Sequence, residues 1–146
     1  RNNEMKKILI VNANYYKDIS KNLIFAAKKK LKSEKLKIYL INVPGVLEIP
    51  ITIRKFIKKF DGFLALGCVI KGETPHFDLI NNVTFNAIMN LSIKFTKPIG
   101  NGIITTFNSK QAKRRSMISK KLSKPNKGYE AANAVISILK NEPNKQ

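Results

Sequence analysis

The residues best suited to chemistry lie in the segment Leu66–Asp78, which reads LGCVIKGETPHFD. We expect an apolar strand to end there and a glycine-containing turn to lead into a helix whose first turn holds Thr74, Pro75 and His76. His76 is the only histidine of the chain, and an imidazole with an ordinary pKa of about 6.5 exchanges protons readily at neutral pH. Free backbone amides at a helix start, aided by the Thr74 hydroxyl, can bind a phosphate. A structural interpretation is also open, in which Thr74 only caps the helix and His76 is an ordinary surface residue.

Two further segments allow both a functional and a structural interpretation. Tyr15 and Tyr16 follow the first predicted strand, either as surface aromatics or as a platform that stacks on a flat heterocycle. Glu48 stands where the second helix is predicted to begin. It is either an acidic residue that stabilises the first turn of the helix or a carboxylate that binds a polar ring or polyol.

Basic residues dominate the charge of the chain. The 28 Lys and Arg residues against 9 Asp and Glu give a net charge of +19. Only four of these are Arg, whereas proteins that read nucleic acid favour the planar Arg fork. We therefore do not expect nucleic acid as a partner. Arg114, Arg115 and Lys127 form either a solvated basic surface or a phosphate site.

Several classes of active site are excluded by residue type. Cys68 is the only cysteine and lies inside an apolar strand, where a thiol is usually a small inert hydrophobe. One Cys and one His make no metal-ligand cluster. The sequence contains no G-x-S-x-G, Walker A or G-x-G-x-x-G motif, so we expect neither a serine triad nor a nucleotide cofactor. A single cysteine and no apolar run of membrane-span length are typical of a reduced, cytoplasmic protein.

The elements that must position these residues alternate between strand and helix. Short β-branched runs predict four strands, at Lys7–Asn12, Leu36–Val43, Phe63–Ile70 and Ile99–Thr105. Helical spacing of apolar residues predicts helices between them, with these inward positions: Ile19, Leu23, Ala26, Ala27 and Leu31; Ile49, Ile53, Phe56, Ile57 and Phe60; Phe77, Ile80, Val83, Ala87 and Leu91. Two more helices are expected at about Ser109–Ser119 and Lys127–Lys140.

Near-continuous apolar strands that alternate with helices predict a parallel sheet covered on both sides, a three-layer α/β/α sandwich. The 146 residues suit a single domain, 1–146, in which we expect residues 1–6 and 141–146 to be flexible. Such folds bind ligands beyond the carboxyl ends of their strands. The loops at 12–17, 43–48 and 70–76 and the end of the fourth strand are therefore the expected site.

Four segments together resemble one known family. VPGVLEIP at 43–50, LGCVIKGETPHFD at 66–78, GIITT at 102–106 and NKGYEAA at 126–132 are similar, in order and spacing, to the lumazine synthase (6,7-dimethyl-8-ribityllumazine synthase) family. The resemblance covers nearly the whole chain. It implies a flavodoxin-like fold with a four-stranded parallel sheet, in agreement with the elements above.

The resemblance also implies an activity in riboflavin biosynthesis. The family condenses 5-amino-6-(D-ribitylamino)uracil with 3,4-dihydroxy-2-butanone 4-phosphate, and releases phosphate and water without metal or organic cofactor. The steps are imine formation, phosphate elimination and ring closure, which need proton transfer, a phosphate site and two substrates held together. The alternative is a protein of the same fold that binds riboflavin or lumazine without turnover.

Roles are implied for individual residues by motif. His76 matches the proton donor and acceptor, while Glu73, Thr74 and Arg115 match positions that bind the phosphate. Lys127 matches a supporting lysine of the neighbouring subunit. The positions that match contacts to the uracil and its ribityl chain are Tyr15, Val46, Leu47, Glu48, Cys68, Val69, Ile70 and Asn101. Asn101 matches a position contributed by a neighbouring subunit.

The sequence departs from the family pattern at three places. Tyr16 stands where the family commonly has Asn, so either tyrosine can be the stacking residue. Arg114 precedes Arg115, so either arginine can hold the phosphate. The segment Ser116–Pro125 is longer than in many relatives. Members with a lengthened loop there tend to stop at homopentamers rather than sixty-subunit shells, and we expect a homopentamer with active sites between subunits.

Overall fold

Four parallel strands form one sheet at the centre of the computed structural model, which describes residues 4–118 and 126–146. The strands are Lys7–Ala13 (β1), Lys37–Val43 (β2), Gly62–Ile70 (β3) and Ile99–Thr106 (β4). They lie in the order β2-β1-β3-β4, with β2 and β4 at the edges. Each of the four predicted strands is confirmed, with ends that agree to within one residue.

Helices cover both faces of this sheet, which confirms the predicted three-layer α/β/α sandwich. Those of the described residues are Lys17–Ser33 (α1), Ile49–Lys55 (α2), His76–Phe95 (α3), Ser109–Arg115 (α4) and Lys127–Leu139 (α5). Successive side chains of a strand point to opposite faces. Ile8 and Ile10 of β1 therefore pack with α1 and α5, while Leu9 and Val11 pack with α2 and α3.

The carboxyl ends of the strands meet at one edge of the sheet. The register pairs Ala13 of β1 with Val43 of β2, and Ile70 of β3 with Thr106 of β4. Beyond β3, the Lys71 amide donates a hydrogen bond of 2.9 Å to the Thr106 carbonyl. The loops after all four strands thus open on the edge where sheets of this kind bind ligands.

Two glycines allow α5 to approach its neighbours closely. A Cβ atom on Gly100 would overlap the carbonyl oxygen of Ala131 in α5. A Cβ atom on Gly128 would overlap the carbonyl oxygen of Leu23 in α1. Because a side chain at either position would push the helix away, these contacts hold the start of α5 against both β4 and α1.

Two helices end earlier than the sequence predicts. α2 ends at Lys55, where the Phe56 amide turns back to the Ile53 carbonyl at 3.1 Å. Phe56 and Phe60 lie in the turns that follow α2, and these turns direct both side chains toward the sheet. The ring of Phe60 meets that of Phe63 edge-on, with centroids 6.0 Å apart. Their apolar spacing therefore continues past the end of the helix. α4 ends at Arg115. Its predicted end at Ser119, residues 119–125 of the lengthened segment and residues 1–3 lie outside the described residues.

The predicted inward face of α3 is partly wrong. Thr84 and Ile88 are the buried residues of this helix, and Val83 is 52% exposed, while the other four predicted positions are half-buried. The reason is that α3 carries apolar residues on more than one face, so spacing alone does not select one. Its exposed apolar side chains are Leu79, Val83, Met89 and Ile93. None of the helices within the described ranges is long and apolar enough to cross a membrane.

Candidate active site

The loop after β1 presents two tyrosines in different environments. Tyr15 is 73% exposed, whereas Tyr16 is half-buried against the core beneath α1. Their rings meet edge to face, with centroids 4.9 Å apart. Burial, together with the nearby Cys68 and Tyr15 groups, raises the pKa of Tyr16 above its ordinary value. Tyr15 is therefore the ring with more surface open to a ligand.

A short 3₁₀ turn at Val46–Glu48 follows β2. Val46 is buried and anchors the turn in the core, while Leu47 and Glu48 are exposed. The Glu48 carboxylate accepts a hydrogen bond of 2.9 Å from the Gly45 amide. Because that bond closes the turn, the Glu48 side chain has a structural role here, while Leu47 is exposed beside it.

The last residues of β3 run from the core to the surface. Cys68 is 8% exposed, and Val69 and Ile70 are half-buried. Burial raises the pKa of the Cys68 thiol to about 11. A thiol with that pKa is neutral at physiological pH, so Cys68 is an apolar group at the end of β3 and is not activated as a nucleophile.

The turn between β3 and α3 carries the polar residues of the segment. Glu73, Thr74 and His76 are all exposed, and the Thr74 hydroxyl lies 3.4 Å from the His76 amide, whose hydrogen it accepts. The Lys71 ammonium lies 5.4 Å from the centroid of the Phe107 ring. This contact and the Lys71 amide bond tie the turn to the end of β4. The helix start therefore presents a hydroxyl and an imidazole at one edge of the sheet.

A second set of polar residues lines a cavity of about 480 Å³ along the edge strand β4. Asn101 and Thr105 come from β4, Arg114 and Arg115 from α4, and Lys127 from the start of α5. The three cations give this cavity a positive charge that suits a phosphate.

One carboxylate links two of these cations. Glu130 lies 3.2 Å from Arg115 (Oε2 to Nη2) and 3.6 Å from Lys127 (Oε1 to Nζ). The three side chains are between 26% and 34% exposed. Within the described residues no carboxylate lies within 4.0 Å of the Arg114 guanidinium.

Asn126 holds the start of α5 beneath this cluster. Its Oδ1 accepts hydrogen bonds from the Gly128 amide at 2.7 Å and from the Tyr129 amide at 3.2 Å. Its Nδ2 donates to the Ser116 carbonyl at 2.8 Å and to the Asn22 carbonyl at 3.3 Å. A side chain that is 6% exposed thus caps α5 and joins it to the end of α4.

Known proteins resemble the chain over the range that holds all of these residues. Residues 5–142 match the sequence profile of the family described as 6,7-dimethyl-8-ribityllumazine synthase. The chain belongs to this family. Curated relatives with that name include a protein of Agrobacterium fabrum, 40% identical over 90% of this chain and 91% of its own length. Another, from Bartonella henselae, is 41% identical over 90% of this chain and 85% of its own length. A third, from Methylorubrum populi, is 38% identical over 91% of this chain and 80% of its own length. The resemblance predicted from sequence is confirmed.

The predicted site residues of this lumazine synthase family member fall into two groups within one chain. The first group, at the carboxyl ends of β1, β2 and β3 and the start of α3, consists of Tyr15, Val46–Glu48, Cys68–Ile70 and Glu73–His76. The second group, in the β4 cavity, consists of Asn101, Arg115 and Lys127. Among the described residues, no member of the first group lines that cavity.

Sequence reasoning missed Glu130 and Gln111. Gln111 also lines the β4 cavity, and its Oε1 accepts a hydrogen bond of 2.9 Å from the Phe107 amide. Glu130 follows Lys127 by three residues on a helix, a spacing at which opposite charges meet, so this signal was available. The residues that the structure describes contain no group of three His, Cys, Asp or Glu side chains placed to hold a metal ion.

Proposed function

We propose that the chain condenses 5-amino-6-(D-ribitylamino)uracil with 3,4-dihydroxy-2-butanone 4-phosphate to give 6,7-dimethyl-8-ribityllumazine, phosphate and water. The observation that carries this proposal is the family match over residues 5–142. The exposed imidazole beside a helix start, and the basic cavity along β4, supply the two chemical functions that the reaction needs. The proposed reaction uses no metal or organic cofactor, as the family resemblance implies, and its condensation and elimination involve no redox step.

His76 transfers protons in the proposed reaction. When an amine of the uracil condenses with the ketone, water leaves and an imine forms. A proton then leaves the carbon beside the imine carbon as the C–O bond to phosphate breaks, with the electron pair leaving on the phosphate. The enol that results takes up a proton at its terminal carbon and becomes a ketone, and attack of the second amine on that ketone closes the ring and releases another water. Each step moves a proton, and His76 is the imidazole that the start of α3 presents at this edge for that task.

The phosphate is bound by residues from both groups. Thr74 and Glu73 contribute from the turn before α3, where free amides and the helix dipole favour an anion. Arg115 contributes from the β4 cavity with Lys127 beside it. Arg115 is favoured over Arg114 because it is half-buried and held by an ion pair, whereas Arg114 is exposed.

The uracil and its ribityl chain occupy the edge formed by the ends of β1, β2 and β3. Tyr15 stacks on the ring, since it has more exposed surface than Tyr16. The backbone of Val46–Glu48 and of Cys68–Ile70 provides polar edges in the loops beside it. Asn101 contributes from the second group.

The active site forms between two subunits of a homo-oligomer. Two observations support this: no residue of the first group lines the β4 cavity of the same chain, and α3 exposes four large apolar side chains. A second copy that covers α3 would bury this surface and bring its β4 cavity to the first group. A homopentamer is the favoured assembly, with a sixty-subunit shell as the alternative. Sedimentation distinguishes five copies of the 16.5 kDa chain from a shell or a monomer.

A cytoplasmic location is part of the proposal. Cys68 is the only cysteine and is buried, so it forms no disulfide within the chain and fits a reducing compartment.

The deciding experiment is a turnover assay with both substrates, followed by the fluorescence of the lumazine and by released phosphate. We expect product well above the spontaneous rate, in equal amounts with phosphate. If there is no product but riboflavin or lumazine binds tightly, the protein is a carrier. If neither occurs and the chain binds nucleic acid with a steep salt dependence, the charge of +19 has the functional role instead.

A further inference from the structure

Glu130 is the only carboxylate of the described residues that contacts the basic cluster of Arg115 and Lys127. We propose that it is a positioning residue for the phosphate end of the active site. In this role it holds the Arg115 guanidinium in the orientation that stabilises the leaving phosphate. This inference rests on the proposed function, because that function supplies the phosphate.

The geometry shows that Glu130 bridges the two cations. One carboxylate oxygen lies 3.2 Å from Arg115 and the other lies 3.6 Å from Lys127, so each cation has its own oxygen. All three side chains are about two-thirds or more shielded from solvent. Shielding reduces the screening that makes exposed ion pairs weak. The bridge therefore restricts where both cationic groups can lie.

The backbone that carries Glu130 is itself fixed. The Glu130 amide donates a hydrogen bond of 3.0 Å to the Asn126 carbonyl in the first turn of α5. The close approach of Gly128 to Leu23, and of Ala131 to Gly100, leaves this turn no room to shift. Arg115, by contrast, is the last residue of the seven-residue helix α4. The ion pair thus fixes the Arg115 side chain, at the end of the short helix α4, relative to the rigidly packed helix α5.

The charge of the cluster also matches its proposed ligand. Arg114, Arg115 and Lys127 around the cavity, together with Glu130, leave a net two positive charges. A phosphate monoester carries about −1.5 to −2 at neutral pH. Glu130 therefore lowers the positive charge of the cluster to a value close to the negative charge of the ligand, and the cluster stays positive.

Two effects of Glu130 can be told apart: its orientation of the Arg115 guanidinium and its effect on the attraction of phosphate to the cluster. A carboxylate beside a phosphate opposes binding through charge alone, so loss of Glu130 leaves phosphate attraction intact or stronger. Loss of orientation has the opposite effect on turnover. Negative charge builds up on the phosphate as its C–O bond breaks, and stabilising that charge requires a donor held in place. Removal of Glu130 should therefore lower kcat without weakening phosphate binding.

The test compares Glu130→Gln and Glu130→Asp with Glu34→Gln as matched control. Glu34 also makes an ion pair with a cation, 3.1 Å from Lys140, and neither residue belongs to the two groups of site residues. For each variant, kcat and the KM of both substrates are measured, together with inhibition by inorganic phosphate. Melting temperature and sedimentation are recorded for the same samples.

We expect Glu130→Gln to lower kcat about tenfold or more, since small misplacements of a catalytic donor have effects of this size. The KM for the uracil substrate and the inhibition constant for phosphate should not rise. Glu130→Asp, which keeps the charge but draws it back by one methylene, should recover part of the loss. Glu34→Gln should match the wild type.

Two results would overturn the inference. One is a Glu130→Gln protein with the kcat of Glu34→Gln. The other is a variant in which both KM values rise together with a lower melting temperature or smaller particles, which indicates a structural role alone. If the wild type itself makes no product, the proposed function fails, and that outcome is distinct from either of these.

Discussion

The Asn126 side-chain amide donates a hydrogen bond of 2.8 Å to the Ser116 carbonyl, while its own oxygen caps α5. These contacts join the end of α4, which carries Arg115, to the start of α5, which carries Lys127 and Glu130. The basic cavity along β4 thus depends on one buried polar side chain that lies outside it.

Replacement of Asn126 by Ala should destabilise the protein and weaken the phosphate site. Loss of the cap, together with backbone groups left unpaired in the interior, corresponds to a decrease of about 2–3 kcal/mol in the free energy of unfolding. Urea denaturation at one fixed protein concentration measures it, because assembly adds a concentration dependence. Asn133→Ala, at an exposed position of the same helix, is the control and should change stability by less than about 0.5 kcal/mol. Equal effects of the two substitutions would contradict this role for Asn126.

His76→Ala should slow turnover about 10²–10⁴-fold, the usual contribution of general acid–base catalysis. The side chain is exposed within one chain, so its loss creates no cavity, and sedimentation should show the same particle as the wild type. A smaller loss of rate would mean that orientation of the two substrates, and not proton transfer by His76, dominates catalysis.

Arg115→Ala and Arg114→Ala should differ in their effect on the butanone phosphate. Loss of a charge-assisted hydrogen bond from Arg115 corresponds to a decrease of about 10- to 100-fold in kcat/KM for that substrate. The exposed Arg114 should contribute much less. Steady-state kinetics with each substrate varied in turn provides the measurement. If the effects were reversed, Arg114 would be the phosphate residue. An equal loss for the uracil substrate would exclude a phosphate-specific role for Arg115.

Cys68 should react slowly with iodoacetamide. The rate should keep rising at pH values where the rate of an ordinary thiol no longer changes. Burial raises the pKa of Cys68 to about 11, and a raised pKa favours the neutral form of an acid. The reactive thiolate should therefore increase about tenfold per pH unit through pH 10, whereas the urea-unfolded protein should level off above an ordinary pKa of about 8.5. A plateau near pH 8.5 in the folded protein would contradict the environment described for the thiol.

Cys68→Ala should also retain turnover within a few-fold, because a neutral, buried thiol contributes only packing at the edge of the site. A loss comparable with that of His76→Ala would assign the thiol a chemical role.

Much of the fold could be predicted because its strands are read from local composition. Runs such as Phe63–Ile70 are apolar at every position, a pattern that parallel strands require when both faces are buried. The end of α2 was less predictable, since apolar spacing continues through turns that pack on the same sheet, as at Phe56 and Phe60. The inward face of α3 could not be selected from sequence, because apolar residues lie on several of its faces.

The sequence by itself determined which loops gather at the ligand-binding edge, since strand order along the chain and parallel pairing follow from local patterns. It also identified the family, through four short segments whose residues match in order and spacing. Only the tertiary structure decided that the predicted site residues divide into two groups, and that Glu130 pairs with Arg115 as well as with Lys127. The physical reason is distance along the chain: Arg115 and Glu130 belong to different helices, and their ion pair depends on how α4 and α5 pack against β4.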